Sequence, residues 1–493
     1  MATTLSSPPT LTIPGPKPLP IVGRTLNSIR FAQDSVGYTR ELFHTYGNLV
    51  ALTAGGGTRL YSPRDTCPGT VFACGPDLVR QVTTQHEVYF KYPLTGTLYR
   101  LRGKSPRTEP LNHFLVGLFG VNSDEHLRQR KLMLPAFHRQ RLETYAQDMV
   151  TITADQLQQL RVGEVNDMAT WLRQLTLRIV TKSLFGEDIG QEGVSTGQII
   201  QDALKLQGNL LLKARPLDWP GHPWRQYLDL VARYEARMAE LIQAKRQSAT
   251  VEPDVLSMLL QVRDEESGAA LSEAELLGHV GVMFVAGHET SANALTWTLL
   301  LLSQHPQILA DLLDELEATL HGDAPTVDQL AQLPLLDRVI KESLRILSPV
   351  PWNGRVTAQP TELGGYAIPE GTEVLVSIYQ THQMPDLYPN PDCFNPDRWT
   401  TIQPDAYAYN PFSAGPRLCI GAGFAMMEIK LVLAMLLQHY RLEFVAQKPV
   451  DRSGIIVLAP KHGLSLGVYP QDRQFHLGVG AVQGNVREMV QLP

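Results

Sequence analysis

The segment PFSAGPRLCIGAGFAMMEIK, residues 411–430, sets one cysteine, Cys419, among glycines, with Arg417 before it and an apolar run after it. Gly415, Gly421 and Gly423 would let something flat or bulky approach the backbone closely. The apolar run predicts a helix starting just past the cysteine, whose N-terminal dipole and free amides favour a thiolate. The pattern suits an anionic sulfur used as a ligand or nucleophile. A lone buried cysteine is more often structural, so the rest of the chain has to decide.

The chain has 493 residues, which calls for two domains or one large multi-lobed domain. With 43% apolar and 19% charged residues it can build a large globular core. A net charge of −6 without a basic block argues against nucleic acid as a partner. Four cysteines are too few for a disulfide scaffold, and a reducing, cytoplasmic location is expected. The opening, MATTLSSPPTLTIPGPKPLPIVG, has neither the basic nor the apolar region of a signal peptide. Runs such as LVLAMLLQ and LTWTLLLLS fall well short of the roughly 18 consecutive apolar residues of a membrane span, so none is expected.

The pattern reads as mainly α with minor β. Residues 1–22 form a Pro-rich arm, 23–472 the body and 473–493 a weakly patterned tail. Within the body, 48–80 and 349–380 read as a β-rich lobe, with AGGGTRLY as a hairpin-like turn. Residues 122–345 and 405–445 read as a larger helical lobe, and IIVLAPKHGLSLGVYP as a further hairpin. The longest helix starts at a Ser272–Glu275 capping-box spacing and stops before Pro306. At its centre AGHET puts an acid and an alcohol in an apolar helix, which is costly unless they are used. The residues leave two uses open. Thr290 could bond back to its own helix with Glu289 in solvent, or both could serve chemistry.

Three short matches fall away. GVSTG at 193–197 has the G-x-S-x-G spacing but follows a polar, acidic stretch instead of a buried strand. HET at 288–290 lacks the second histidine of a zinc helix. GVGAVQG lacks the third dinucleotide glycine and the chain for a βαβ unit.

Two further motifs complete a set: ESLR, from Glu342 to Arg345, and FNPDRW, from Phe394 to Trp399. With Phe412, Gly415, Arg417, Cys419 and Gly421 in F-x-x-G-x-R-x-C-x-G spacing, and with AGHET, the chain resembles the cytochrome P450 family of haem-thiolate monooxygenases. The motifs occur in the family's order, from the Pro-rich arm to APKHG at 459–463.

The resemblance implies a P450 fold holding haem b (iron protoporphyrin IX), with Cys419 as the thiolate ligand of the iron. Backbone amides near Gly415 and Gly421 would hydrogen-bond the sulfur, and Phe412 would pack beside the ring. Arg355, Arg417, His126 and Arg130 would hold the propionates, although His126 could equally be a helix-surface histidine. Glu342, Arg345 and Arg398 would form a buried triad supporting the cysteine loop. Ala286 and Gly287 would leave room for dioxygen, Thr290 would hydrogen-bond the oxygen being activated, and Glu289 would feed protons. The family often has His-Arg where this chain has His382-Gln383.

Phe119, Val350, Trp352 and Ile456 are expected to line an apolar pocket for a hydrophobic substrate, such as a long-chain fatty acid, alkane or terpene. The 210–224 loop, with Trp219 and Trp224, would cover its access channel. Hydroxylation or epoxidation would draw electrons from a separate ferredoxin or flavodoxin with its reductase. That partner would be steered by Arg128, Lys131, Arg139 and Arg141. The competing readings are a haem-thiolate isomerase or peroxygenase, which usually lacks the acid–alcohol pair, and a non-catalytic haem sensor, which usually carries an output domain.

Overall fold

In a computed structural model of the chain, residues 11–18, 23–64, 66–92, 105–186, 198–199, 202–203, 206, 216–248, 252–454 and 456–493 are described. The G-x-S-x-G stretch, the ends of the Pro-rich arm and the start of the 210–224 loop lie outside them. Helices α1 (Gly23–Gln33) and α2 (Ser35–Tyr46) lead into strand β1 (Leu49–Ala51), which pairs antiparallel with β2 (Thr70–Ala73). Helix α3 (Pro76–Thr84) and β3 (Tyr89–Phe90) follow. The helical body comprises α4 (His113–Val116), α5 (Ser123–Met133), α6 (Arg139–Leu157), β4 (Val165–Asp167), α7 (Met168–Phe185), α8 (Pro223–Gln247) and α9 (Val255–Gln261). It continues through α10 (Glu273–Ser303), α11 (Pro306–Leu320), α12 (Val327–Leu330) and α13 (Pro334–Ile346). Strands β5 (Trp352–Thr357), β6 (Thr361–Leu363), β7 (Tyr366–Ile368) and β8 (Glu373–Ser377) precede α14 (Ile378–His382) and α15 (Ala422–His439). The chain then forms β9 (Tyr440–Phe444), β10 (Arg452–Ser453), β11 (Ala459–Pro460) and β12 (Ser465–Pro470).

The main sheet runs β1-β2-β8-β5-β3, with β2 and β8 parallel, so the two β-rich stretches do form one lobe. The β1–β2 connection is longer than a hairpin turn. The buried Glu373 carboxylate gathers it by accepting from the Leu60, Tyr61 and Ser62 amides and the Thr70 hydroxyl. Such donors compensate a buried carboxyl, whose proton affinity burial otherwise raises.

Helix α10 is 31 residues long, and Ser272 and Glu275 close its N-terminus as a capping box. Its C-terminal half is buried all round, because α7, α11, α13 and α15 pack against it. Gly117 and Gly278 meet where α4 ends: a Cβ at Gly278 would lie 2.3 Å from the His113 carbonyl. Helix α15 is long and apolar enough to cross a membrane by length and composition, yet most of it is buried in the core. The IIVLAPKHGLSLGVYP stretch is not one hairpin. Its first part pairs with β10, and its second joins a separate sheet, β4-β12-β9.

The expected tail is part of the fold. Val482, Val486, Met489, Val490 and Leu492 are buried in the main core. Arg452 donates to Asp34 and Glu488, and Glu488 also pairs with Arg40 of α2. A chain-terminal stretch with little periodicity can still dock when its few apolar side chains find slots in a preformed core. Removing residues 482–493 strips those five side chains, each worth about 1.5–3 kcal/mol when fully buried. The truncated protein's melting temperature should fall well below that of the full chain in thermal denaturation. An unchanged midpoint would contradict this docking.

Candidate functional site

The loop before α15 turns sharply. Ser413 and Gly415 both adopt left-handed backbone, φ 66° in each, and a Cβ at Gly415 would lie 2.7 Å from the Thr83 carbonyl of α3. The turn is tied by the Cys419 amide to the Phe412 carbonyl at 2.9 Å and by the Leu418 amide to Gly415 at 3.0 Å. Gly415 thus shapes the turn and is not an amide donor to sulfur. Gly421 takes that role: its amide hydrogen-bonds the Cys419 thiol. The thiol has accessible surface although protein atoms crowd around it. Burial raises its proton affinity, with the Gly421 amide, Lys91 and Arg130 opposing. The amide at the helix start thus acts in the direction that favours a thiolate.

Among the described residues, basic groups gather around the sulfur. Burial, then Arg355 and Arg417, push Lys91 down to about 7. Burial, then Arg417 and Arg130, push His126 down to about 3. Arg355 is lowered to about 10 and Arg417 to about 9, both mainly by burial, and Arg130 is lowered too. Among the described residues, His126 Nδ1 and Arg355 Nη2 are buried without a hydrogen-bond partner. His126 is therefore a buried residue of α5 and not a surface one. Arg355 is braced by the Gly354 carbonyl and by Asn353, whose amide also reaches Ser413 of the cysteine loop. Arg417 donates to the Leu118 carbonyl at 2.8 Å, the Val121 carbonyl at 2.5 Å and the Asn122 side chain at 2.7 Å. Gathering cations in a buried place is unfavourable without an anion, so this set fits a dianionic group whose acids meet Lys91, His126, Arg130 and Arg355.

Sequence reasoning missed Lys91. It follows a short edge strand and belongs to no motif, and only its ammonium 4.5 Å above the Phe119 ring and its charge among the arginines mark it.

The triad is present as expected. Arg345 grips Glu342 through Nε at 3.0 Å and Nη2 at 2.8 Å, and Arg398 Nε reaches it at 2.8 Å. Trp399 and the Asn395 amide add donors, leaving the carboxylate fully engaged at zero exposure. Arg345 also holds the His382 carbonyl, and His382 Nε2 accepts from the Asn410 amide at the root of the cysteine loop. Gln383, in the position where arginine is common, leaves a buried amide nitrogen without a partner among the described residues.

On α10, Thr290 donates to the Ala286 carbonyl at 2.6 Å, leaving its oxygen free to accept. Glu289 lies 4.0 Å from Arg173, and both side chains are about a third exposed, so their pairing is weak. Ala286 is half-buried. Gly287 answers to a different neighbour than the one expected: a Cβ there would meet Val180 of α7 at 2.9 Å, so the glycine serves helix packing.

The pocket expectations divide. Phe119 and Val350 are half-buried. Trp352 is instead sealed in the β-lobe core against Phe31 and Phe72, because its strand alternation turns it away from the helical lobe. Ile456 stands 43% exposed on the β10–β11 turn, which Trp297 of α10 anchors through the Leu458 carbonyl. Trp219 is 66% exposed, whereas Trp224 is buried and stacked on Tyr227. Three of the four residues of the expected basic docking patch, all but Arg141, are paired with acids. Arg128 is held by Glu125 and Glu275, Lys131 by Glu265, and Arg139 by Glu143 and Asp328.

The family model of the cytochrome P450s matches residues 13–466. This chain is a cytochrome P450. Family members carry haem and are monooxygenases. The P450 chain is 31% identical over 440 residues to cyclooctatin synthase of Streptomyces melanosporofaciens, covering 87% of this chain and 89% of that one. It is 31% identical over 433 residues to pentalenene oxygenase of Streptomyces avermitilis, with 86% and 90% covered. Its fold is similar to that of retinoic acid-bound cyanobacterial CYP120A1, with a TM-score of 0.77 and 27% identity, covering 94% and 100%.

Two tests follow from this P450 site. Lys91→Met removes one charge-assisted donor, typically worth about 1.5–3 kcal/mol, so haem should be lost to an acceptor apoprotein roughly tenfold faster or more. Retention equal to wild type would exclude Lys91 from the cage. Glu342→Gln leaves two buried arginines short of a counter-charge, and holoenzyme stability should drop by about 3–5 kcal/mol in denaturant titration.

Proposed function

We propose that this P450 hydroxylates or epoxidises a terpene-type substrate, with Cys419 as the iron ligand of haem b. The carrying observation is the set of buried and half-buried basic groups, Lys91, His126, Arg130, Arg355 and Arg417, gathered near Cys419. When bound, the haem supplies dioxygen activation and insertion of one oxygen atom into the substrate. The chain's own residues do the rest. Lys91, His126, Arg130 and Arg355 would neutralise the propionates, while Arg417 pins the loop before α5 to the cysteine loop. The Gly421 amide withdraws electron density from the sulfur and tunes the potential. Phe412, partly buried against the core, would flank the ring. Thr290, its proton directed at Ala286, offers oxygen lone pairs and so can hold a donor in place at the reacting dioxygen. Glu289, half in solvent beside Arg173, can carry protons inward.

The names of two relatives, cyclooctatin synthase and pentalenene oxygenase, favour the terpene class over fatty acids and alkanes. The reductant is a separate ferredoxin or flavodoxin with its reductase, and the protein works in the cytoplasm. Because Arg128, Lys131 and Arg139 are already paired with acids, their steering role is weak.

Spectral titration with a sesquiterpene, a diterpene alcohol, a fatty acid and an alkane tests the substrate class. Terpenes should perturb the Soret band at the lowest concentration and give an oxygenated product by mass spectrometry. Tight binding confined to fatty acids or alkanes would reverse the choice. Reduced protein with carbon monoxide should show the strongly red-shifted Soret band of thiolate ligation, and Cys419→Ser should lose it. Thr290→Ala should keep haem and substrate but divert reducing equivalents to hydrogen peroxide, whereas Thr290→Ser keeps most of the coupling. General acid delivery is worth about 10²–10⁴-fold, which sets the scale of the diversion. Equal coupling in wild type and Thr290→Ala would remove Thr290 from the chemistry.

A further inference from the structure

Asn122 occupies the N-cap position of α5, where an asparagine side chain ordinarily accepts from the first free amides of the helix. It makes no such bond here. The next residue, Ser123, holds a left-handed backbone, φ 51°, which a residue other than glycine adopts only at a cost. The start of α5 thus forgoes a cap and carries strain. Helix formation gives no reason for either.

The side chain is used elsewhere. Its Oδ1 accepts from the Lys91 amide at 2.8 Å and from Arg417 Nη2 at 2.7 Å, and its Nδ2 donates to the Lys91 carbonyl at 3.1 Å. One side-chain amide therefore joins the residue after β3, the start of α5 and the cysteine loop. Arg417 also holds the Leu118 and Val121 carbonyls, which lie on either side of Phe119 in the chain. Lys91 returns over the Phe119 ring, its ammonium 4.5 Å from the centroid. The near end of the segment is fixed as well, because a Cβ at Gly117 would lie 2.6 Å from the Gly278 carbonyl of α10. These contacts converge on one half-buried aromatic side chain.

We infer that Asn122 is a positioning residue for the pocket wall: it turns Arg417 and Lys91 onto the segment 117–122 and so fixes Phe119 before a ligand arrives. The inference rests on the monooxygenase reading above, which puts Phe119 beside the substrate. A wall already in place needs no ordering when a ligand binds, whereas a loose wall must be ordered at that moment and weakens binding. Arg417 stands two residues before Cys419, so the wall is fixed relative to the sulfur and not merely to its own loop. Ligands long enough to press on Phe119 depend on this clasp, and ligands that stop short of it do not. Asn122 thereby sets which molecules the pocket prefers without touching them.

Two azoles separate the wall from the iron. Imidazole occupies little more than the ligation position, whereas phenylimidazole carries an aromatic body into the pocket. Both are titrated by the Soret shift that nitrogen ligation produces. In the Asn122→Ala holoenzyme imidazole should bind as in the wild type. Phenylimidazole should bind about tenfold more weakly, the size expected for losing a hydrogen bond to a charged partner. Asn122→Asp keeps both accepted bonds and should retain most of the preference for the larger azole. Arg417→Met should lose as much of it as Asn122→Ala, and the double variant no more, because the two act through one contact. Should Asn122→Ala fail to load haem, Asn122→Ser, whose hydroxyl is too short to span Lys91 and Arg417, reads the same preference. An unchanged or increased preference for phenylimidazole in a loaded variant overturns the inference, while the imidazole response leaves the monooxygenase reading standing. A wild type whose Soret band answers to neither azole overturns both.

Discussion

Everything in the haem-binding half hangs on a carboxylate that water cannot reach. Glu342 accepts from Arg345, Arg398, Trp399 and the Asn395 amide, so no lone pair is wasted. Such a network gains little net stability, because desolvating three charges cancels most of their attraction. Its value is geometric. Arg345 fixes the His382 carbonyl, His382 fixes the Asn410 amide, and Asn410 begins the turn that presents Cys419. Burial keeps His382 neutral, near 3, so this brace does not switch with ordinary changes of pH.

The cysteine loop is held from its other side by charge. Arg355 comes from β5 in the β-rich lobe, Arg130 and His126 from α5, and Arg417 from the loop itself. Each is lowered from its ordinary proton affinity, chiefly by burial, and an anion placed among them would relieve all of them together. A dianionic group held by these residues would couple the two lobes, so that its retention and their alignment would become the same free-energy term.

Much of this was legible in the sequence because motifs encode local geometry. The Phe412–Gly421 spacing, ESLR with FNPDRW, and the Ser272–Glu275 cap each depend on residues near one another in the chain or on a fixed family order. What escaped depends on distant partners. Lys91 earns its place only beside Arg355 and Arg417. Trp352 looked like a pocket wall until strand alternation turned it into the Phe31–Phe72 cluster. Gly287 looked like room for a ligand but makes room for Val180. The stretch after residue 472 has no period to read, since its five buried side chains are spaced by the slots they fill. Charges misled in the opposite direction: Lys131 read as a free cation because its acid, Glu265, comes from a remote segment, and Arg128 is paired both with Glu125 on its own helix and with the distant Glu275.

That closing segment also orders events during synthesis. Arg40 and Asp34 emerge from the ribosome early, yet the Glu488 and Arg452 that complete their cluster come more than four hundred residues later. The apolar slots for Val486 and Met489 stay open over the same interval. The nascent chain must therefore carry an unfinished core until residues near 490 leave the exit tunnel, and chaperones have that whole window in which to act.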